Sequence, residues 1–279
     1  IIEEFCDLER TLSKIVYEKS HPKDVRKIGE NLILIPKLKE ILSDAPQEFF
    51  KKIGEEIPDV KELAEEILNT LNENPPDIGE GEVIKKGVNK ELDELREWNL
   101  KSKEKLKEIE LRERERTGIP KLRIGYNSVF GYYIEITKSY LNLVPKDYIR
   151  KQTLVNAERF VTEELKEIEA KIIGGEERIK EIEREILKEI EKKIVQKGHE
   201  IQIISEKISL LDVLISFATV SKEYGYKKPE ITEEKEIFIK KGRHPVVERY
   251  VPEFIPNDTD LNSEEFFWII TGPNMSGKS

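Results

Sequence analysis

The sequence predicts a mainly α-helical fold with a small β insertion, followed by the start of an α/β domain. Two segments without proline, residues 89–116 and 162–195, are each more than twice as long as an average helix. Between them, at about residues 120–160, apolar and polar residues alternate as they do in β-strands. A pair of long helices that brackets a β element describes a stalk with a small β tip.

The first 74 residues predict several short helices. Helical spacing of apolar residues, as on one face of a helix, is seen in Leu8, Leu12, Ile15 and Val16 and again in Leu63, Ile67, Leu68 and Leu71. Prolines separate the pieces, since proline cannot donate a backbone hydrogen bond inside a helix. They are Pro22, Pro36, Pro46 and Pro58.

The two long helices differ in their apolar faces. The set in residues 89–116 is sparse, and Gly118 with Pro120 ends that helix. Residues 162–195 carry a coiled-coil-like stripe with Gly175 at its one gap, and about 33 residues give roughly 50 Å of helix. On the helices alone, packing in an ordinary bundle is the favoured explanation. The β tip between them shifts the balance towards a stalk.

The β tip is predicted to contain three extended segments. Leu122, Ile124 and Tyr126 alternate, a turn follows at residues 128–131, and residues 132–137 form a second strand. Residues 150–160 are predicted to be a third extended stretch. The aromatic residues of the tip suit packing better than base stacking, because they alternate on short strands.

The remaining segments predict one more helix and, near the end of the chain, a short buried strand. Residues 201–222 are expected to form a helix in a core, and residues 266–271 a buried strand. The apolar residues of this helix are Ile204, Ile208, Leu211, Leu214, Ile215 and Ala218.

Composition excludes several classes of protein. The chain has 279 residues, 38% of them charged and 37% apolar, with a formal net charge of −9. No stretch approaches the roughly 18 apolar residues of a membrane span. A single cysteine, Cys6, excludes a disulfide framework and fits a reducing cytosol, so a cytoplasmic location is expected. His21, His199 and His244 lie far apart, which argues against a zinc site.

The charge of the β tip differs from that of the whole chain. Residues 120–160 contain seven basic and three acidic side chains, a local charge of +4 in an acidic protein. Such a patch suits contact with nucleic-acid phosphates, without a signature for reading bases. A merely solvated positive face is the alternative explanation. The basic residues are Lys121, Arg123, Lys138, Lys146, Arg150, Lys151 and Arg159, with Asn127, Gln152 and Asn156 beside them.

The last eight residues form a phosphate-binding motif, G-x-x-x-x-G-K-S. Its backbone N–H groups would surround phosphates, Lys278 would reach the outer ones, and Ser279 would ligate magnesium. Phe254 and Ile255 are candidates for covering an adenine ring. The motif comprises Gly272, Pro273, Asn274, Met275, Ser276, Gly277, Lys278 and Ser279.

Several of these segments together resemble the MutS family of DNA mismatch repair proteins. Residues 122–127, 130–135, 148–154 and 156–159 are similar to that family's clamp. Residues 242–248 and 271–279 resemble the opening of its ATPase domain, and residues 7–10 resemble its core. The resemblance covers essentially the whole chain.

The resemblance implies a helical core and long antiparallel lever helices that carry a β clamp, followed by the truncated start of an α/β P-loop ATPase domain. Residues 1–100 would be the core and ascending lever helix, and residues 101–162 the clamp insertion. Residues 163–228 would be the descending lever helix and the rest of the core. The ABC-type ATPase domain would begin at 229.

The resemblance also implies binding residues. Asn156 and Arg159 would face DNA, whereas Val155 stands where the family often has lysine. Phe254 and Ile255 match an adenine-contacting pair, and Ser276 stands where many members have glycine. ATP and Mg²⁺ would be the cofactors, with Asn274, Lys278 and Ser279 as phosphate and magnesium ligands. The expected DNA-binding set is Lys121, Arg123, Asn127, Lys138, Arg150, Lys151, Asn156 and Arg159.

The implied function is DNA mismatch repair. The parent protein would bind mismatched double-stranded DNA and use ATP to switch clamp states. It would pair with a second copy of itself and engage a MutL-type partner, and no membrane partner is expected. The fragment alone, which has no catalytic residue, is expected to be inactive. The alternatives are another P-loop ATPase with a coiled-coil DNA-gripping arm, a MutS paralogue with a different task, or a helical scaffold with an accidental P-loop.

Overall fold

The computed structural model describes residues 1–127 and 129–272. The chain divides into two compact units, Ile1–Ile215 and Ser216–Ser279. Within the described residues, no helix combines the length and the apolar character that crossing a membrane requires.

Short helices build the N-terminal part of the first unit, as the sequence predicts. Pro22 and Pro36 occupy the first turns of their helices, where a missing N–H is tolerated. Helices α2 and α5 approach closely at Gly29, where a Cβ would lie 2.7 Å from Ile67 Cγ2. The helices are α1 (Leu8–Val16), α2 (Pro22–Leu32), α3 (Ile35–Ser43), α4 (Glu48–Glu56) and α5 (Lys61–Thr70).

Two long helices confirm the predicted pair. Helix α6 (Lys90–Thr117) begins at Asn89, whose side chain accepts a hydrogen bond from Leu92 N, and ends at Gly118 in the left-handed conformation. Helix α7 (Glu163–Gln196) begins at Thr162, which caps it in the same way. The α6–α7 pair is antiparallel, because the end of α6 meets the start of α7 through the Arg112–Glu164 ion pair.

A four-stranded antiparallel sheet connects the long helices. Its strands are β1 (Arg123–Asn127), β2 (Gly131–Thr137), β3 (Ile149–Thr153) and β4 (Ala157–Val161), in the order β1-β2-β4-β3. The prediction of one extended stretch over residues 150–160 is therefore wrong. The chain reverses at residues 154–156, where Leu154 N donates to Ala157 O at 2.9 Å, so that β3 and β4 pair with each other.

One face of the sheet packs on the end of the helix pair. Ile134 and Phe160 are buried there with Leu106 from α6 and with Leu165 and Ile168 from α7. This sheet cluster is separate from the larger core cluster, which joins α1–α5 to the opposite ends of α6 and α7 and to the next helix. The sheet therefore has its own apolar support.

Helix α8 (Gly198–Tyr224) only partly confirms its prediction. Ile204, Ile208 and Leu211 are buried in the core cluster, but Ile215 is exposed. Ala218 is exposed and Leu214 half-buried, so the expectation of a core position is wrong for the C-terminal half. Apolar composition alone did not reveal that the helix extends past the residues that bury its first half.

The second unit contains one hairpin, formed by β5 (Ile237–Gly242) and β6 (Asn257–Leu261). The predicted buried strand at residues 266–271 is absent, and Phe266 and Ile269 are 77% and 79% exposed. A buried strand needs neighbours on both edges and cover on both faces. No described strand pairs with this run.

Candidate nucleic-acid interface

The outer face of the sheet carries a polar row that crosses all four strands. Residues directly opposite each other in antiparallel strands point to the same face, and the register aligns Arg123 with Glu135, Glu135 with Arg159, and Arg159 with Gln152. Arg123 Nη2 donates to Glu135 Oε1 at 2.5 Å and Arg159 Nε to Oε2 at 3.2 Å. Arg159 Nη1 also donates to Gln152 Oε1 at 2.9 Å. The row fixes both guanidinium groups.

Glu135 is the centre of this row. The hydrogen bond from Arg123 lowers the pKa of Glu135, and the bond from Arg159 adds to this against the opposing effect of burial. The carboxylate therefore stays ionised and neutralises one of the two arginines. The row retains a net charge of +1.

Tyr133 supports Arg159 from below. The guanidinium carbon lies 4.0 Å from the centroid of the ring, a cation–π contact. The same ring covers Gly125, where a Cβ would be 2.9 Å from ring atoms. A glycine on β1 thus leaves the space that the ring occupies.

Arg150 lies on the other face. Arg150 lies opposite Phe160 in the β3–β4 register, and Phe160 points into the sheet cluster. Arg150 Nε forms an ion pair with Glu158 Oε2 at 2.8 Å, but the geometry is not that of a hydrogen bond. Because the register shifts between Arg150 and Gln152, these two side chains lie on opposite faces of the edge strand β3. The predicted DNA-binding residues therefore do not form a single surface.

Three of the predicted residues lie at the same end of the sheet. Lys121 precedes β1, and Lys138 follows β2, where its N–H donates to Asn156 O at 3.1 Å. Val155 beside them is 85% exposed. Lys121 and Lys138 are exposed and form no ion pair within the described part of the chain. This basic end, defined as Lys121, Lys138 and Asn156, presents free ammonium groups to solvent.

Asn127 and Lys151 shape the β1–β2 turn instead. Asn127 Oδ1 accepts hydrogen bonds from Val129 N and Phe130 N, at 2.9 and 3.3 Å. Lys151 Nζ donates to Phe130 O at 2.6 Å. Both side chains are thus partly used by the fold.

Sequence reasoning missed a buried polar cluster that holds the sheet to α6. Glu113 Oε2 accepts from Arg116 Nη2 and from the Tyr148 hydroxyl, each at 2.7 Å. Burial alone would raise the pKa of Glu113, but these two hydrogen bonds lower it. Burial and the bond to Glu113 raise the pKa of Tyr148. The only sequence signal was the position of Glu113 seven residues after Leu106, where an apolar residue would be expected on the packed face of the helix.

The second unit shows little of the predicted nucleotide site. Phe254 is half-buried, Ile255 is 75% exposed and Gly272 is exposed. His244 Nδ1 accepts from Val246 N and Val247 N at 3.2 Å, which agrees with a turn residue. The other predicted ligands, Pro273, Asn274, Met275, Ser276, Gly277, Lys278 and Ser279, lie outside the described residues.

The described features define a class: a two-helix arm that carries a sheet with one apolar face and one polar, positively charged face. Residues 87–178, which comprise α6, the sheet and the first half of α7, match the family description "MutS family domain IV". This match and the relatives described next show that the chain belongs to the MutS family.

Curated relatives agree over almost the whole chain. Proteins named "DNA mismatch repair protein MutS" are 46% identical in Fervidobacterium nodosum and 46% in Thermotoga maritima, each over 98% of this chain. The protein of that name in Caldanaerobacter subterraneus is 47% identical over 100% of it. The aligned parts are 33%, 34% and 32% of those proteins. The chain thus spans about a third of the length of the relatives it matches.

Proposed function

We propose that this chain serves DNA mismatch repair and that its sheet grips the backbone of duplex DNA. The observation that carries the proposal is the basic sheet at the end of α6 and α7, within the segment that matches MutS domain IV. The relatives' shared name supports the repair role. The comparisons give no support to another ATPase with a coiled-coil arm.

The basic end and the polar row supply the grip. Lys121 and Lys138 carry free ammonium groups, and Arg123 and Arg159 are held in fixed positions by Glu135. Ammonium and guanidinium groups bind phosphates regardless of base sequence. This surface therefore positions DNA, and mismatch selection in the parent protein requires other groups.

A longer parent protein would combine this grip with an ATPase. ATP and Mg²⁺ would bind at the motif formed by residues 272–279, with Ser279 as a magnesium ligand and Phe254 and Ile255 beside the adenine. The parent would be a DNA-dependent ATPase that pairs with itself and engages a MutL-type partner. The core and lever would comprise residues 1–100 and 163–228, and the clamp would comprise residues 101–162. Residues 229–279 would be part of the ATPase domain. The chain alone would not hydrolyse ATP.

The grip is tested with the double variant Lys121→Glu/Lys138→Glu and a fluorescent duplex. Its affinity should fall at least tenfold at low salt, and the dependence of log affinity on log salt should become shallower by about one for each lost phosphate contact. The matched control is Lys27→Glu/Lys188→Glu, which changes the net charge equally on exposed helical faces away from the sheet.

Two outcomes contradict the proposal. Unchanged affinity of Lys121→Glu/Lys138→Glu would exclude the basic end as the contact surface. An equal loss in both double variants would mean that only the net charge of the chain matters.

A further inference from the structure

The α6–α7 pair is interrupted in its middle. The core cluster ends at Leu95 on α6 and Ile179 on α7, and the sheet cluster begins at Leu106 and Ile172. From Leu95 to Leu106 the axis of α6 advances roughly 16 Å. Two separately packed bodies are thus joined by a stretch of helix pair without an apolar core of its own.

Asn99 occupies the centre of this stretch. It is buried, and its Oδ1 has no hydrogen-bond partner. It follows Leu92 and precedes Leu106 by seven residues each, so it takes a seam position at which its neighbours are leucine. A buried polar atom without a partner destabilises the arrangement that buries it.

Opposite Asn99, α7 contains the pair Gly174–Gly175. A Cβ at Gly174 would have no atom within 4 Å, and one at Gly175 would lie 3.5 Å from Asn99 Oδ1 and Trp98 Cζ3, an ordinary contact distance. The packing therefore does not require glycine at either position. Glycine nevertheless weakens a helix interior more than any residue except proline.

An open groove of about 610 Å³ runs along α6 from Gly81 and Lys90 to this layer, where Asn99, Leu100, Lys103 and Ile179 line it. The buried ion pair Arg96–Glu183, at 2.7 Å, joins the helices on the core side of this groove. Nearer the layer, exposed ion pairs, Lys103–Glu176 and Glu91–Arg178, each at 2.9 Å, link the helices. Such pairs contribute little rigidity in water. The layer combines poor packing, an unpaired amide and weak helix formers.

We infer that the layer of Asn99, Gly174 and Gly175 is a flexible joint that lets the sheet and the far half of the helix pair bend relative to the helical core. The joint absorbs the motion, whereas the core cluster and the sheet cluster move as rigid bodies. This property belongs to the free chain and does not depend on DNA binding.

Spin-label distances test the joint. Cys6 is replaced by alanine, and nitroxides are attached to cysteines at Glu40 in the core and Lys107 beyond the layer. The expected distance distribution is at least twice as wide as that of a control pair at Glu40 and Lys188, on the core side of the layer. In Gly174→Ala/Gly175→Ala/Asn99→Leu, the distribution should narrow to the width of the control.

Amide hydrogen exchange provides a second readout. The amides of residues 173–178 should exchange at least tenfold faster than those of residues 182–190, and the two glycine substitutions alone should slow them at least tenfold. Lys188→Ala, a helix-favouring change on α7 outside the layer, should leave them unchanged. A wild-type distribution as narrow as the control, or equal protection on both segments, would overturn the inference.

Discussion

The guanidinium of Arg159 lies over the ring of Tyr133, 4.0 Å from its centroid. This contact joins neighbouring strands β2 and β4 on the solvent-facing side of the sheet. Because Tyr133 also fills the space above Gly125 on β1, a single ring connects three strands. The polar face is therefore packed as well as charged.

Tyr133→Ala should lower the free energy of unfolding by about 3 kcal/mol, the loss typical of a buried aromatic side chain. Tyr133→Phe should stay within about 0.5 kcal/mol of wild type, since it retains the ring. Urea denaturation measures both. A similar loss in the two variants would show that the hydroxyl, not the ring, stabilises the sheet.

Gly131→Ala should be more damaging than Gly118→Ala, although both glycines have positive φ, +71° and +67°. A Cβ at Gly118 would meet nothing within 4 Å, whereas one at Gly131 would collide with the Glu169 carboxylate. Glu169 would move away and lose its hydrogen bond from Tyr132 N. The extra loss should be about 1 kcal/mol, the usual value of one hydrogen bond.

The double-mutant cycle with Glu169→Ala is the control for this prediction. Without the carboxylate, Gly131→Ala should cost the same as Gly118→Ala in thermal or urea denaturation. If the difference between the two glycines persists, its cause lies in the backbone of the turn.

Stability should depend on Glu113 below about pH 5. Its pKa in the folded protein is lower than the ordinary value of 4.5. The ionised carboxylate therefore stabilises the fold fully above about pH 5, and this contribution is lost as the pH falls through the folded-state pKa. Wild type should lose its advantage over Glu113→Gln as the pH falls from about 5 through the lowered folded-state pKa of Glu113. A pH-independent difference in unfolding free energy would contradict the ionised assignment.

Arg150→Glu should weaken duplex binding less than Arg159→Glu. The two changes alter net charge equally, but Arg159 belongs to the outer polar row and Arg150 faces the side of Phe160. Anisotropy titrations at two salt concentrations compare them. Equal effects would place DNA along the edge of the sheet instead of across its outer face.

Local signals predicted most of the fold. Asn89, Gly118 and Thr162 mark helix ends through hydrogen bonds and backbone conformations that depend on neighbours in sequence. The β3–β4 turn was missed because Val155 and Asn156 carry no glycine or proline signal. The burial of residues 215–218 and 266–271 was overestimated. Burial depends on which distant parts of the chain pack against a segment, and the sequence of the segment does not show this.

The candidate site was predicted in composition but not in arrangement. Counting charges located the basic tip, yet the sequence could not show that Glu135 holds Arg123 and Arg159, nor that Arg150 faces the opposite side. Those facts depend on strand order and on the register shift in β3. The partners of Glu113 were equally invisible, because Tyr148 lies 35 residues away.

The ion pair between Arg112 and Glu164 marks where the chain leaves α6 and returns in α7. Because these two points adjoin, everything from 118 to 162 is attached through a single narrow entrance. A short loop could join the helices there if the apolar residues that the sheet now covers, such as Leu106 and Leu165, were made polar, and a larger module could be grafted in place of the sheet. The reach and the surface chemistry of the arm can thus vary independently of the body that supports it.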